Sequence, residues 1–478
     1  MLRSVVVALL GAGSALAVQC TLDSHCPQDA PCCSQYGECG VGAYCLGGCD
    51  PRMSYSLDSC MPAPVCEDKV MDFKDLSSIV SINKYLGDPT QADWMSQGEA
   101  LPYDGNVLLT MPSHSVGTVL ASTRYMWYGN VKATMKTSHG AGVVSAFILL
   151  SDVKDEIDFE FVGVDLATAQ TNYYWQGVLD YHNSGNISGL SDTLNNFHEY
   201  EIRWTPDQIQ WLIDGKVGRT LRREDTWNAT ANRFQFPQTP ARVQLSIWPG
   251  GAASNQQGTI DWAGGPIDWD SEDIQKIGYY FTTFKEVSVE CYKASSGPGT
   301  NSGKGYTYDG ASGLNNTIVD GNKDTVLASF EATGLDPEAG KPQPKPNKPD
   351  SSKTSSASGP KKTQAEIPGG GSGSTGDYQD GSSGSSPSNS IPGGGRPSAP
   401  GNAPGSNGDG SAGSGSRSGS DGSSSSDGDD LANCDPKSFS QSCSSSADAS
   451  KSGPKSSGSR QGASSLAVLI AGFALCLL

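Results

Sequence analysis

Asp155-Glu156-Ile157-Asp158-Phe159-Glu160-Phe161 is the stretch from which the rest of the chain is best read. In a strand, successive side chains point to opposite faces. Glu156, Asp158 and Glu160 then share one face, and Ile157, Phe159 and Phe161 share the other. The apolar face belongs in a core. The acidic face sets three mutually repelling carboxylates in a row, a cost that a merely solvated strand has no need to bear. Crowded carboxylates resist ionising together, which drives their pKa values apart. Glycoside chemistry uses such an arrangement, with one carboxylate ionised as nucleophile and another kept protonated as acid. The bland alternative is an edge strand guarded by charge. The preceding run from Gly142 to Leu150 is apolar enough for a central strand, which makes its neighbour central as well. Residues four apart on a straight strand stand roughly 13 Å apart. Strand curvature and inward-leaning side chains must therefore close the gap to the about 5–5.5 Å that a retaining mechanism wants.

Working outward, the block from Met71 to Cys291 reads as all-β. Val107 to Leu109, Val143 to Leu150, Glu156 to Val162, Glu199 to Trp204, Ile209 to Ile213 and Val243 to Trp248 are rich in β-branched and aromatic residues, with turn chemistry between them. Asp214-Gly215 marks a hairpin. A weak helical segment is expected near Asp270 to Ile277. Many short strands with frequent turns predict a β-sandwich or jelly roll.

The ends differ in character. All nine Trp lie between Trp94 and Trp269, and from Glu338 to Ser465 the chain is a Gly/Ser/Pro-rich stretch that cannot bury enough apolar surface to order itself. Arg3, the apolar run Val5 to Leu10 and Ala15-Leu16-Ala17 form a secretory signal over residues 1–17. At the other end, small residues around Ser456, a polar spacer and the apolar run Leu466 to Leu478 have the order of a GPI-anchor signal, with Ser456 or a neighbour as attachment site. The net charge of -18 disfavours nucleic acid as a partner. The sequons at Asn186, Asn228 and Asn315 suit a secreted chain. The expected boundaries are a signal over 1–17, a cysteine-rich module over 18–66, a β-domain over 67–295, a stalk over 296–456 and a removed tail over 457–478.

Thirteen cysteines become an even twelve once Cys476 leaves with the tail. Eight fall within the first module: Cys20, Cys26, Cys32, Cys33, Cys39, Cys45, Cys49 and Cys60. About 40 residues need such staples, and the oxidising route disfavours a zinc site. Cys66 with Cys291, and Cys434 with Cys443, form the remaining possible pairs. The five His show no ligand spacing, and neither a metal nor a cofactor is expected.

Two resemblances sharpen this reading. Cys32-Cys33-Ser34-Gln35-Tyr36-Gly37-Glu38-Cys39-Gly40 and Tyr44-Cys45 resemble the hevein-like chitin-binding module. That resemblance assigns sugar contact to Ser34, Tyr36 and Tyr44, while Glu38 stands where another aromatic is usual. Glu156 to Glu160, Asn196 to Tyr200, Trp204 to Asp207 and Ile247 to Gly251 are similar to glycoside hydrolase family 16, in particular to its Crh group of fungal cell-wall transglycosylases. This implies a concanavalin-like β-jelly roll and a retaining transfer of chitin fragments to β-1,3- or β-1,6-glucan. Glu156 would be the nucleophile and Glu160 the general acid/base, also touching substrate, with Asp158 tuning the pair. Trp248, Trp175, Tyr173 and Tyr174 are candidate sugar platforms. Arg219 and Thr259 are candidate polar contacts by family position. Hydrolysis without transfer, and an inactive carbohydrate-binding wall protein, are the competing readings.

Overall fold

The computed structural model describes residues 18–341. The signal segment, Cys434, Cys443, Ser456 and the apolar tail lie outside those residues. Two eight-stranded sheets pack on one another. One runs Lys216–Arg222, Gln208–Ile213, His198–Trp204, Gly129–Lys136, Tyr279–Cys291, Asn106–Pro112 and Ala100–Tyr103, with Lys69–Asp72 also paired to Tyr279–Cys291. The other runs Gly185–Ser188, Thr168–Tyr174, Glu156–Val162, Val143–Ser151, Ala241–Pro249, Thr118–Met126, Trp94–Gln97 and Ile79–Ser81. Only the last of these joins its neighbour in parallel. This is the jelly-roll sandwich expected from the strand pattern.

The acidic strand spans Glu156–Val162 and lies third from its edge, which removes the edge-strand reading. Its apolar alternation does the packing. Ile157, Phe159 and Phe161 face the core, where Phe159 stacks on Phe147 of the neighbouring strand with centroids 6.2 Å apart and Phe161 meets Tyr200 of the opposite sheet edge-on at 4.7 Å. Each such ring, fully buried, is worth about 3–5 kcal/mol against alanine. The Asp214-Gly215 hairpin forms with both residues in the left-handed region, at φ 50° and 75°. The weak helical signal is the helix Glu272–Ile277, capped by Ser271 and ended by Gly278 at φ 90°.

Four disulfides staple the first module: Cys20–Cys33, Cys26–Cys39, Cys32–Cys45 and Cys49–Cys60. A fifth, Cys66–Cys291, joins the two ends of the sandwich across 225 residues.

The stalk does not begin at residue 296. Gly305–Tyr308 pairs with Ile318–Gly321 and with Ala63–Pro64, and Tyr306 is buried in the main core. Further on, Leu327 and Ala332 share a core with Tyr44, Cys45, Leu46 and Met61 of the module and with Tyr85 and Met95 of the sandwich. A few apolar side chains spaced among glycines suffice here because they fill a groove already framed by two folded bodies. Ordered packing therefore continues to residue 341.

Candidate active site

The strand register fixes which side chains share the face turned away from the core. Glu156 lies opposite Tyr174, Asp158 opposite Asn172 and Glu160 opposite Gln170 on one neighbour. On the other side they face Leu150, Ile148 and Ala146, and beyond those Arg242, Gln244 and Ser246. Three rows thus cross the sheet, each carrying one carboxylate.

The carboxylates are almost wholly covered: Glu156 is 5%, Asp158 1% and Glu160 6% exposed. Glu156 Oε1, both Asp158 oxygens, Glu160 Oε1 and Asn172 Oδ1 have no hydrogen-bond partner within the protein. Native interiors rarely leave such atoms unpaired, and where they do the site tends to be functional. Burial pushes all three acids up. Asp158 rises to about 7, restrained by the charge of Arg219. Glu156 is raised further by Asp158 but drawn back by Lys154. Glu160 faces the charges of both Asp158 and Glu156, opposed by the Trp248 indole N–H. Two like charges thus oppose ionisation of Glu160, while a cation partly offsets the single like charge beside Glu156.

Aromatic walls flank the triad. Tyr174 is buried beside all three acids, which raise its phenol together with burial. Trp248 stacks on Trp262 at 5.9 Å, and the Trp262 indole donates to Gln170 Oε1 at 2.7 Å. Thr259 lies on the same short helix, Gln257–Trp262. From the core side, the Trp211 indole donates to the Asp158 main-chain carbonyl at 2.9 Å. Asp155 anchors the head of the strand, accepting from the backbone N–H groups of Gln176, Gln238 and Thr239 and from the Thr239 hydroxyl.

The family profile of glycosyl hydrolases family 16 matches residues 88–264. Crh-like protein 3 of Botryotinia fuckeliana is 61% identical over 338 residues, covering 71% of this chain and 76% of its own. The chain belongs to the Crh-like family. Crh-like protein 2 of Aspergillus fumigatus is 56% identical, covering 67% of this chain and 73% of that one. Congo red hypersensitive protein 2 of Saccharomyces cerevisiae is 50% identical, covering 67% and 69%. A solved structure of an apo Crh5 transglycosylase shares 30% identity with a TM-score of 0.45, covering 55% of this chain and 97% of that one. As a Crh-like member of family 16, the chain is a glycosidase-type enzyme of cell-wall polysaccharide.

Several expected contacts of this Crh-like enzyme are redistributed. Tyr173 alternates with Tyr174 and packs into the core, and with Trp175 it lines a cavity of about 390 Å³ whose walls include none of the three acids. Arg219 comes from the opposite sheet. Its guanidinium donates to Thr171 O at 2.8 Å and to Asn183 O at 2.5 Å and stacks over Trp211. Its guanidinium thus clamps Thr171 and Asn183 and sets a half-buried positive charge near Asp158. The face they leave is taken by Tyr174, Gln170, Asn172, Gln244 and Arg242, of which only Tyr174 was singled out from sequence. A strand-parity count from Glu156 through the pairing would find them, but the pairing is not written in the sequence.

The hevein-like module also differs from expectation. Ser34, Tyr36 and Tyr44 are 7%, 2% and 4% exposed, packed inward with no open stacking face. The Tyr36 hydroxyl bonds Gln97 Oε1 of the sandwich. A sugar reaches these residues only if the module lifts off the sheet. Among the sequons, Asn186 is exposed, whereas the Asn228 side-chain amide donates to Gln235 Oε1 and that of Asn315 to the Tyr128 hydroxyl.

Proposed function

We propose that this chain is a retaining transglycosylase that cuts chitin and passes the fragment to β-1,3- or β-1,6-glucan, cross-linking the wall. Glu156 attacks the anomeric carbon while Glu160 protonates the departing glycosidic oxygen, leaving a glycosyl ester on Glu156. Glu160, now a carboxylate, takes the proton from an acceptor hydroxyl as that oxygen displaces Glu156. Asp158, between them, biases both charges. Trp248, Tyr174 and Thr259 border the sugar path. The observation that carries this reading is the row of three buried acids with unpartnered oxygens on one sheet face. Their low exposure favours a sugar acceptor over water, because transfer wins only where bulk water is scarce.

The expected secretory signal and GPI-type tail support a location at the outer face of the plasma membrane and in the wall. Incubation with chitin oligomers and fluorescent glucan oligomers, followed by separation by size, tests the proposal. Labelled hybrid products are expected. Unlabelled short chitin fragments alone would reduce it to hydrolysis, and no product of either kind would favour a binding protein.

A further inference from the structure

The rows that carry the carboxylates do not end at an open edge. Following Asp158 across Ile148 leads to Gln244, then Ala121 and Met95. Following Glu156 across Leu150 leads to Arg242. The module sits on that end of the face. Gln35, between Ser34 and Tyr36, accepts from Arg242 Nη2 at 2.8 Å and from Gln244 Nε2 at 3.4 Å through its side chain. Its main-chain carbonyl accepts from Lys154 Nζ at 2.5 Å. Gly48 donates its N–H to Asp152 Oδ1 and to the Tyr125 hydroxyl, each at 2.9 Å. Arg52 donates to Val153 O at 2.9 Å and to Gln176 Oε1 at 3.0 Å.

The fit leaves no slack. A Cβ on Gly47 would fall 2.6 Å from Arg242 Nη1, and one on Gly48 would fall 2.8 Å from Arg242 Nη2. These glycines let the module backbone lie directly against the guanidinium. The segment beyond residue 321 straps the same seam, with Leu327 and Ala332 packed against both bodies. Loosely tethered binding modules have neither a shared core nor interlocked side chains with the domain that they serve.

The geometry points to a different job for this module: it is the end wall of the catalytic groove, and Gln35 is the residue that meets the sugar chain. Two strand spacings of about 4.8 Å each separate the carboxylate strand from Arg242 and Gln244. Only a short run of sugar rings fits between the reacting bond and Gln35. The wall thereby sets how far substrate extends on that side. Its main-chain carbonyl also holds Lys154, the cation whose charge acts on Glu156, so Gln35 is a specificity and positioning residue. This inference rests on the reading of the Glu156 strand as the reacting centre.

The test uses the full chain carrying Glu156→Gln, titrated by calorimetry with chitin oligomers of increasing length, alone and with Gln35→Ala or Gln244→Ala. With a wall, affinity stops rising at a short oligomer length, and either added substitution moves that plateau to longer oligomers and shifts affinity for them several-fold. The chain with the wild-type Glu156 and the same two substitutions should release or transfer longer fragments. An unmoved plateau with an unmoved product ladder overturns the inference, whether or not retention on insoluble chitin falls. Loss of that retention with unchanged oligomer binding would show a separate chitin-binding module instead. Oligomer binding with a movable plateau in a chain that lacks transfer activity would retain the wall and remove the transglycosylase reading. No oligomer binding by any form would remove both.

Discussion

Trp211 reaches from one sheet to the other and donates its indole N–H to the main-chain carbonyl of Asp158 at 2.9 Å. The backbone under the middle acid is thus pinned from the core side, while Arg219 stacks on the same indole with its guanidinium 4.6 Å from the ring centre. Trp211→Phe keeps most of the apolar volume and removes this donor. The expected cost is about 1–3 kcal/mol of stability, read by urea unfolding, together with a fall in activity as the acidic strand loosens. Unchanged activity would mean that the strand's position does not depend on this bond.

Glu156→Gln and Glu160→Gln should separate the two proposed roles. Losing the nucleophile is expected to abolish the glycosyl ester, detected by mass spectrometry after a quench. Losing the acid should cost about 10²–10⁴-fold in kcat, with the smallest loss on substrates bearing a good leaving group. Equal losses on every substrate would remove the acid assignment from Glu160.

Stability should depend on pH in a direction set by burial. Asp152 and Asp155 are raised to about 6 and Asp158 to about 7. Between an unfolded value near 4 and these folded values, the native state binds more protons than the unfolded one. Their contribution is therefore greatest below about pH 4 and is lost as pH rises through about 6 to 7. Tm followed across that window should fall with rising pH, and Asp158→Asn should flatten the slope. For catalysis the same elevation calls for a bell-shaped rate profile, with Glu156 ionising on its acid limb and Glu160 on its alkaline limb.

Asp155 is a structural acid beside the proposed catalytic ones. Asp155→Ala strands two buried backbone donors, a half-buried third and the Thr239 hydroxyl. A loss of at least about 3 kcal/mol follows from the unpaired groups, measurable as a drop of several degrees in Tm. A mild effect would mean that the 176 and 238 loops find other acceptors.

The Cys66–Cys291 bond closes a loop of 225 residues. Chain-entropy reasoning gives it about 5 kcal/mol. A Cys66→Ala/Cys291→Ala double variant should unfold at markedly lower denaturant, while an unaltered midpoint would place the bond's influence elsewhere.

Local chemistry made much of this fold legible. The strand Glu156–Val162 follows from alternation alone, and Asp214-Gly215 needs no partner to announce a turn. The site was legible only along its own strand. Whether Tyr173 or Tyr174 faces the acids depends on register with Glu156–Val162, and Arg219 is placed by a second sheet. Gln35 meets Arg242 across 207 residues of sequence. Such pairings are products of the whole packed chain, and a turn rich in cysteine and tyrosine reads the same whether it faces a polymer or a neighbouring sheet. The 322–341 segment falls within the expected stalk for a related reason: its apolar side chains, Val326, Leu327, Phe330, Ala332 and Leu335 among them, are spaced by polar and small residues and matter only against a ready-made groove.

That segment also determines what survives trimming of the tail. A protease that stops at residue 341 leaves the module still buckled in place. One that cuts back to residue 321 removes Leu327 and Ala332 from the seam and unfastens the module from the sandwich. Cuts at the two positions thus give two distinct products, told apart by whether residues 18–60 swing free.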